Sequence, residues 1–159
     1  MHEVIIRIDQ HHSVIITAPN QLEKVVGSDI DANLDLAHYD IVRKESKNIA
    51  LFILKSDGEY LAHVYGGVLL RKVVILSDVI PATDKASDIE NLVALLSTSI
   101  EWWAQRMKYI AVVHNGPYEF LYDIGYNKLD DWIVRTFDEE DEDRAWDILF
   151  GIDEEESAR

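Results

Sequence analysis

The run Val73-Val-Ile-Leu-Ser-Asp-Val-Ile-Pro81 and, just beyond it, Ser87-Asp-Ile-Glu90 fix the architecture of this chain. The first belongs to a segment, Val68 to Ile80, dense enough in β-branched and aliphatic residues to contain a long strand. Pro81 ends that strand, because the residue before a proline is pushed away from helical angles. The second has Ser-x-x-Glu spacing, a capping box in which two side chains bond the free N–H groups of a helix start. From Ser87 to Arg106, Ile89, Leu92, Leu96, Ile100 and Trp103 recur at helical spacing and predict one apolar face.

Downstream, Lys108-Tyr-Ile-Ala-Val-Val113 reads as a short buried strand. Pro117 to Ile124 suits a short helix, with proline in its first turn and Gly125 as its stop. Tyr126 to Phe137 reads as one strand, with Trp132, Val134 and Thr136 on one side and Ile133, Arg135 and Phe137 on the other.

Upstream, Asn48 to Lys55 and Glu59 to Tyr65 form a hairpin around Ser56-Asp57-Gly58, and Gly66-Gly67 is expected to interrupt the second strand or bend it at a bulge. Glu3 to Asp9 and Val14 to Thr17 are further extended pieces. They are separated by the polar turn Asp9-Gln-His-His-Ser13, where adjacent His11 and His12 make a poor shared metal pair. Between Pro19 and Asp40, Leu22, Val25, Val26, Ile30, Leu34 and Ala37 give a weak helical pattern. Asn20 is a candidate cap for its first part and Ser28 or Asp29 for its second. The order of elements predicts an α/β protein with mainly antiparallel neighbours.

No apolar run approaches the ~20 residues of a membrane span, and there is no basic start followed by an apolar stretch; a cytoplasmic setting is expected. The absence of cysteine removes disulfides, thiolate metal sites and cysteine nucleophiles from consideration. The net charge of −15 is uneven: residues 138 to 159 hold eleven Asp/Glu against two Arg, hence −9, leaving −6 for the rest. Such a surface disfavours direct nucleic-acid binding, which needs basic patches, and favours a basic protein partner or simple solubility. Membrane association is not expected either. Residues 1–137 are expected to form one domain, followed by an acidic tail, 138–159, whose apolar piece Ala145 to Phe150 docks back as helix or strand.

From about Asn48 to Phe137, the order of elements and loop lengths resembles the GNAT (GCN5-related N-acetyltransferase) fold. The landmarks are Val79-Ile80-Pro81 before the long helix, Asn115 after the next strand, and Phe120-Leu-Tyr-Asp-Ile-Gly-Tyr126 in place of the family's aromatic–aliphatic–Gly–aromatic ending. The Asn…Phe-Leu-x-x-Ile-Gly pattern also resembles small GNAT-like proteins of tailed phages, implying a host-cytoplasmic or virion location. The resemblance implies a GNAT-like mixed, mainly antiparallel central sheet with flanking helices.

It further implies a pyrophosphate loop of the form R/Q-x-x-G-x-G/A, whose glycines let backbone N–H groups reach acetyl-CoA. The corresponding residues, Ala82-Thr-Asp-Lys-Ala-Ser-Asp-Ile-Glu90, contain no glycine and no arginine, and Asp84, Asp88 and Glu90 gather where phosphates would sit. The candidate cofactor contacts are Lys85, Ala86, Ser87, Asp88, Ile89 and Asn115. The family's general-acid tyrosine aligns with Leu121; Tyr122 is its neighbour and Tyr118 lies about a turn earlier. Asp78 and His63 are the candidate bases. Trp102, Trp146 and Phe150 are the candidate partner-binding residues, and no metal is expected.

These readings order the functions. A GNAT-fold protein without ordinary acetyl transfer, acting by protein binding as a phage accessory or virion-assembly factor, comes first, with no cofactor. An acetyl-CoA-dependent N-acetyltransferase with a divergent loop comes second. An acidic decoy of a nucleic-acid-binding protein is third.

Overall fold

The computed structural model describes residues 3–22, 24, 32–46, 48–82, 86–114 and 118–151, with the side chains of 32–34, 45 and 86–88 left aside. Its strands are β1 Val4–Arg7, β2 His12–Thr17, β3 Asn48–Ser56, β4 Glu59–Leu69, β5 Val73–Leu76, β6 Ile80–Pro81, β7 Ala111–His114, β8 Asn127–Leu129 and β9 Trp132–Thr136. The helices are α1 Ala32–Glu45, α2 Ala86–Arg106 and α3 Glu142–Leu149, with 3-10 turns at Pro19–Gln21, Glu119–Ile124 and Glu139–Asp141. The strands form one mixed sheet in the order β1-β2-β3-β4-β5-β7-β9-β8, with β6 pairing β4. Every pairing in the described residues is antiparallel except β5 with β7, where α2 makes the crossover.

Period-two alternation sends successive side chains to opposite faces. On β3, Phe52 and Leu54 join Leu92, Leu96, Ile100 and Trp103 of α2 in the largest core cluster. Leu51 and Ile53 pack on the other face with Tyr65 and with Val42 of α1. Farther along the sheet, Val73, Ile75, Val113 and Val134 are covered by Ala145 and Ile148 of α3. Each such large side chain, fully buried, contributes about 1.5–3 kcal/mol. The apolar piece after residue 138 therefore docks as a helix, seated by Ala145 and Ile148, and the acidic side chains of its first turn, Glu142 and Asp143, face solvent.

Several expected elements differ. Val68 to Ile80 is not one long strand: Leu70 and Arg71 adopt positive φ and turn the chain between β4 and β5. Tyr126 to Phe137 is a hairpin, β8 and β9, turning at Asp130 with φ 58°. Gly66 and Gly67 neither interrupt β4 nor bend it; they pair with Ala50 and Ile49 in an unbroken ladder. Their smallness serves close approach. A Cβ on Gly67 would lie 1.6 Å from Ser46 Oγ at the end of α1, and one on Gly66 would lie 2.7 Å from the Phe52 ring. The β4 bulge sits instead opposite Leu54 and Lys55. Asn20 lies inside the first 3-10 turn, whose cap position is Ala18, and α1 runs past Asp40 to Glu45. Ser28 and Asp29 lie outside the described residues.

Candidate functional site

Among the described residues the parallel β5–β7 seam runs as far as Leu76, which pairs with His114. Beyond it the chain stays with β4: Ser77 N–H donates to Tyr65 O, and Ile80 pairs with His63. Leu76 opposes Gly66 and Ile80 opposes His63, so one extra residue lies on this side, a bulge within Ser77–Asp78–Val79. The bulge re-aims the Val79 N–H away from β4, and it donates to the phenol oxygen of Tyr118 at 2.9 Å. Tyr118 is buried, and burial, partly offset by this N–H, pushes its phenol up to about 12. At this notch in the strand edge, the donor freed by the bulge is thus taken by a phenol from the chain itself.

His63 lies on the α1 face of β4. It is fully buried, with Nε2 at 2.7 Å from Asp35 Oδ1 and Nδ1 at 2.6 Å from the Tyr60 hydroxyl. A carboxylate only accepts, so the Nε2–H tautomer donates to Asp35 and Nδ1 accepts from Tyr60. Burial lowers the His63 pKa, and the Asp35 hydrogen bond opposes that effect. Tyr65 OH donates to the other Asp35 oxygen at 2.7 Å. The β4 bulge makes this cluster possible: Lys55 opposes Tyr60 and Ile53 opposes His63, so Leu61 is the extra residue. Tyr60 therefore shares a face with His63 and Tyr65. Burial raises the pKa of both phenols, and the nearby Asp35 charge adds to it.

The other candidates fall apart in space. Asp78 is exposed on the bulge beside Val79, near enough for its charge to help raise the Tyr118 phenol, whereas His63 faces the opposite side of the sheet from that phenol. Leu121 is buried in the α2-side core while Tyr122 turns outward, as spacing from Gly125 predicts; Gly125 caps the turn at φ 103°. Ala86 begins α2, and Ile89 is half-buried against the core. The side chains of Ser87 and Asp88 are not described, and Lys85 and Asn115 lie outside the described residues. Trp102 is half-exposed, with Arg106 over its ring at 4.8 Å. Trp146 and Phe150, 41% and 46% exposed, stack at 4.4 Å on the outer side of α3. Of the two turn histidines, His11 reaches Asp57 and His12 reaches Asp9, so they diverge.

A second polar cluster, unforeseen in the sequence, lies on the α2 face. His114 Nε2 meets Ser97 Oγ at 2.9 Å, and burial pulls its pKa down to about 3. Beside it, Glu101 sits 3.3 Å from Arg135 Nε, and burial holds its carboxyl above the usual range. Its only sequence signal is Ser97 and Glu101, four apart on one helix face.

The described arrangement, a large, mainly antiparallel sheet with flanking helices, matches the folds of solved acetyltransferases. The chain has the GNAT fold. A GNAT-family acetyltransferase from Brucella melitensis, solved with acetyl-CoA, matches at TM-score 0.55 and 12% identity over 82% of this chain and 90% of that one. A probable acetyltransferase matches at 0.54 and 10% identity, over 84% and 97% of the two chains. A GNAT-family acetyltransferase from Staphylococcus aureus Mu50 matches at 0.54 and 11% identity, over 80% and 99%. No family model matches the chain. No curated protein matches it. At these identities the likeness is one of fold.

Two features near the bulge bear on how acetyl-CoA could be held. The backbone donor exposed by the bulge is already bonded to Tyr118, and the approach to α2 carries Asp84, Asp88 and Glu90 without glycine. Among the described residues, no helix is long and apolar enough to cross a membrane.

Proposed function

We propose that this GNAT-fold chain acts by binding a protein partner and does not carry out ordinary acetyl transfer. The observation that carries the reading is the Tyr118–Val79 contact. An acyl-CoA arm held at this bulge needs the space and the backbone donor that this buried phenol occupies. His63 supports the same reading, since both its ring nitrogens are engaged and it has no exposure from which to take a substrate proton.

The partner is basic. Trp146 and Phe150 present a paired aromatic surface at a helix whose first turn carries Glu142 and Asp143 and which is preceded by Glu139, Glu140 and Asp141, an apolar anchor beside carboxylates. A role as a phage accessory or virion-assembly factor is the finer form of this proposal; it rests on the sequence pattern ending at Gly125.

Calorimetry with acetyl-CoA on the full chain tests the proposal. No heat of binding through the millimolar range is expected. A micromolar Kd, accompanied by acetylation of an added amine, would establish the second reading, an N-acetyltransferase with a divergent loop; the likeness of fold to an acetyltransferase solved with acetyl-CoA favours that reading. The acidic-decoy reading predicts that a captured partner is a nucleic-acid-binding protein released by moderate salt.

A further inference from the structure

A cleft of about 520 Å3 lies on the α1 face of the sheet, the face opposite the one Tyr118 packs on. That volume is within the range of small-molecule sites. Pro19 and Asn20 line it from the turn after β2, Asp35, Leu36 and Tyr39 from α1, and Tyr65 from β4. Its polar content converges on one carboxylate. Asp35 retains 19% exposure, and each of its oxygens accepts one hydrogen bond, from His63 and from Tyr65. A carboxylate oxygen has room for a second donor.

Among the described residues the sole ion-pair partner of Asp35 is His63, a group whose burial favours the neutral ring. The carboxylate is therefore well oriented and incompletely neutralised. Beside it, the partly exposed Tyr39 ring meets the buried Tyr65 ring edge to face at 5.5 Å and 72°, so Tyr39 is the aromatic surface of the lining that a ligand can reach. Leu36 and Pro19 supply apolar surface. An anion would be repelled by Asp35. A neutral apolar ligand would cover the carboxylate without compensating it, at a desolvation cost. Only a cation gains from both the charge and the ring.

We propose that this cleft binds a small organic cation, its ammonium head against Asp35 and the Tyr39 ring and its apolar body along Leu36 and Pro19. A quaternary ammonium satisfies the chemistry and has no N–H to acylate. The site therefore stands apart from the reading of the notch, and either can fail without the other.

The test is calorimetry and side-chain NMR on the full chain with choline, with benzyltrimethylammonium, and with dimethylbutanol, the uncharged carbon isostere of choline. Expected are saturable binding of both ammonium probes, tighter for the benzyl compound, and at least about tenfold weaker binding of the isostere. Resonances of Tyr39 and Tyr65 should shift. Asp35→Asn should weaken binding by about tenfold or more, Tyr39→Leu by several-fold, and Tyr39→Phe should retain it. Should Asp35→Asn fail to fold, the isostere comparison and the Tyr39 pair decide the matter in the unaltered network. Absence of saturable ammonium binding, equal binding of the isostere, or shifts confined to other residues would overturn the proposal.

Discussion

Tyr118 and Val79, thirty-nine positions apart, are joined by a 2.9 Å hydrogen bond from a bulged backbone N–H to a buried phenol. Tyr118→Phe keeps the ring and removes the acceptor. Leaving a buried donor unpaired costs about 1–3 kcal/mol, which urea unfolding will register. If the phenol is what closes the notch, Tyr118→Ala, which removes the ring as well, should bind acetyl-CoA more tightly than the parent in calorimetry. Equal, immeasurable binding by both would place the obstacle elsewhere.

The His63–Asp35 pair links β4 to α1 through buried groups. His63→Phe removes one donor from Asp35 and one partner from Tyr60, leaving them Tyr65 and the Ile80 carbonyl, and should cost about 1–3 kcal/mol. Pairing it with Asp35→Asn in a double-mutant cycle should recover a large part of that loss. Additive losses would mean the two groups act independently.

Acid sensitivity follows from His114. Its folded pKa, about 3, lies below the ordinary histidine value of 6.5. Between those values the unfolded chain binds more protons, so stability is full above the upper limit and falls as pH drops towards the lower one, by at most about 1.4 kcal/mol per pH unit for this group. Denaturant midpoints measured between the two limits should show this slope, and His114→Phe should flatten it. An unchanged slope would assign acid sensitivity to other groups.

Gly67→Ala should destabilise by about 1–3 kcal/mol through overpacking, since its Cβ would meet Ser46 Oγ at 1.6 Å. Ser46→Gly, which removes the obstructing side chain, should restore part of the loss when combined with it. Thermal melts of the single and double variants will show whether it does.

Helix α3 separates packing from docking. Ile148 is buried and Trp146 is largely outside, so Ile148→Ala should cost about 2–5 kcal/mol while Trp146→Ala should change stability little. Loss of partner capture in Trp146→Ala with an unchanged melting temperature is the expected pattern. Retained capture would remove Trp146 from the interface.

What the sequence revealed was whatever carries a local signature. Asp57-Gly58 announces the β3–β4 hairpin, the Ile89–Trp103 stripe announces α2, and Gly125 fixes which of Leu121 and Tyr122 faces the core. The turn between β4 and β5 was hidden because Leu70, Arg71 and Lys72 are not turn formers, and its apolar flanks fused into one long strand. The turn at Asp130-Asp131 was masked by continuous alternation on either side. Gly66-Gly67 was legible as special but not as a place where α1 presses close. The Asp35–His63–Tyr60–Tyr65 cluster left no trace. Its members are brought together by α1 docking across 28 positions and by a bulge, and periodicity encodes neither.

The lone parallel seam has a kinetic consequence. Strands β1 to β5 pair with sequence-adjacent neighbours, as do β8 and β9, whereas β5 meets β7 only after the chain has closed a loop containing α2. Contacts between distant residues carry the larger closure entropy and form late. The meander and the terminal hairpin are therefore expected to assemble as separate cooperative units, with the seam joining last. In native-state hydrogen exchange the amides of Ala111 to His114 should then report the opening of one half-sheet from the other at a free energy below that of global unfolding.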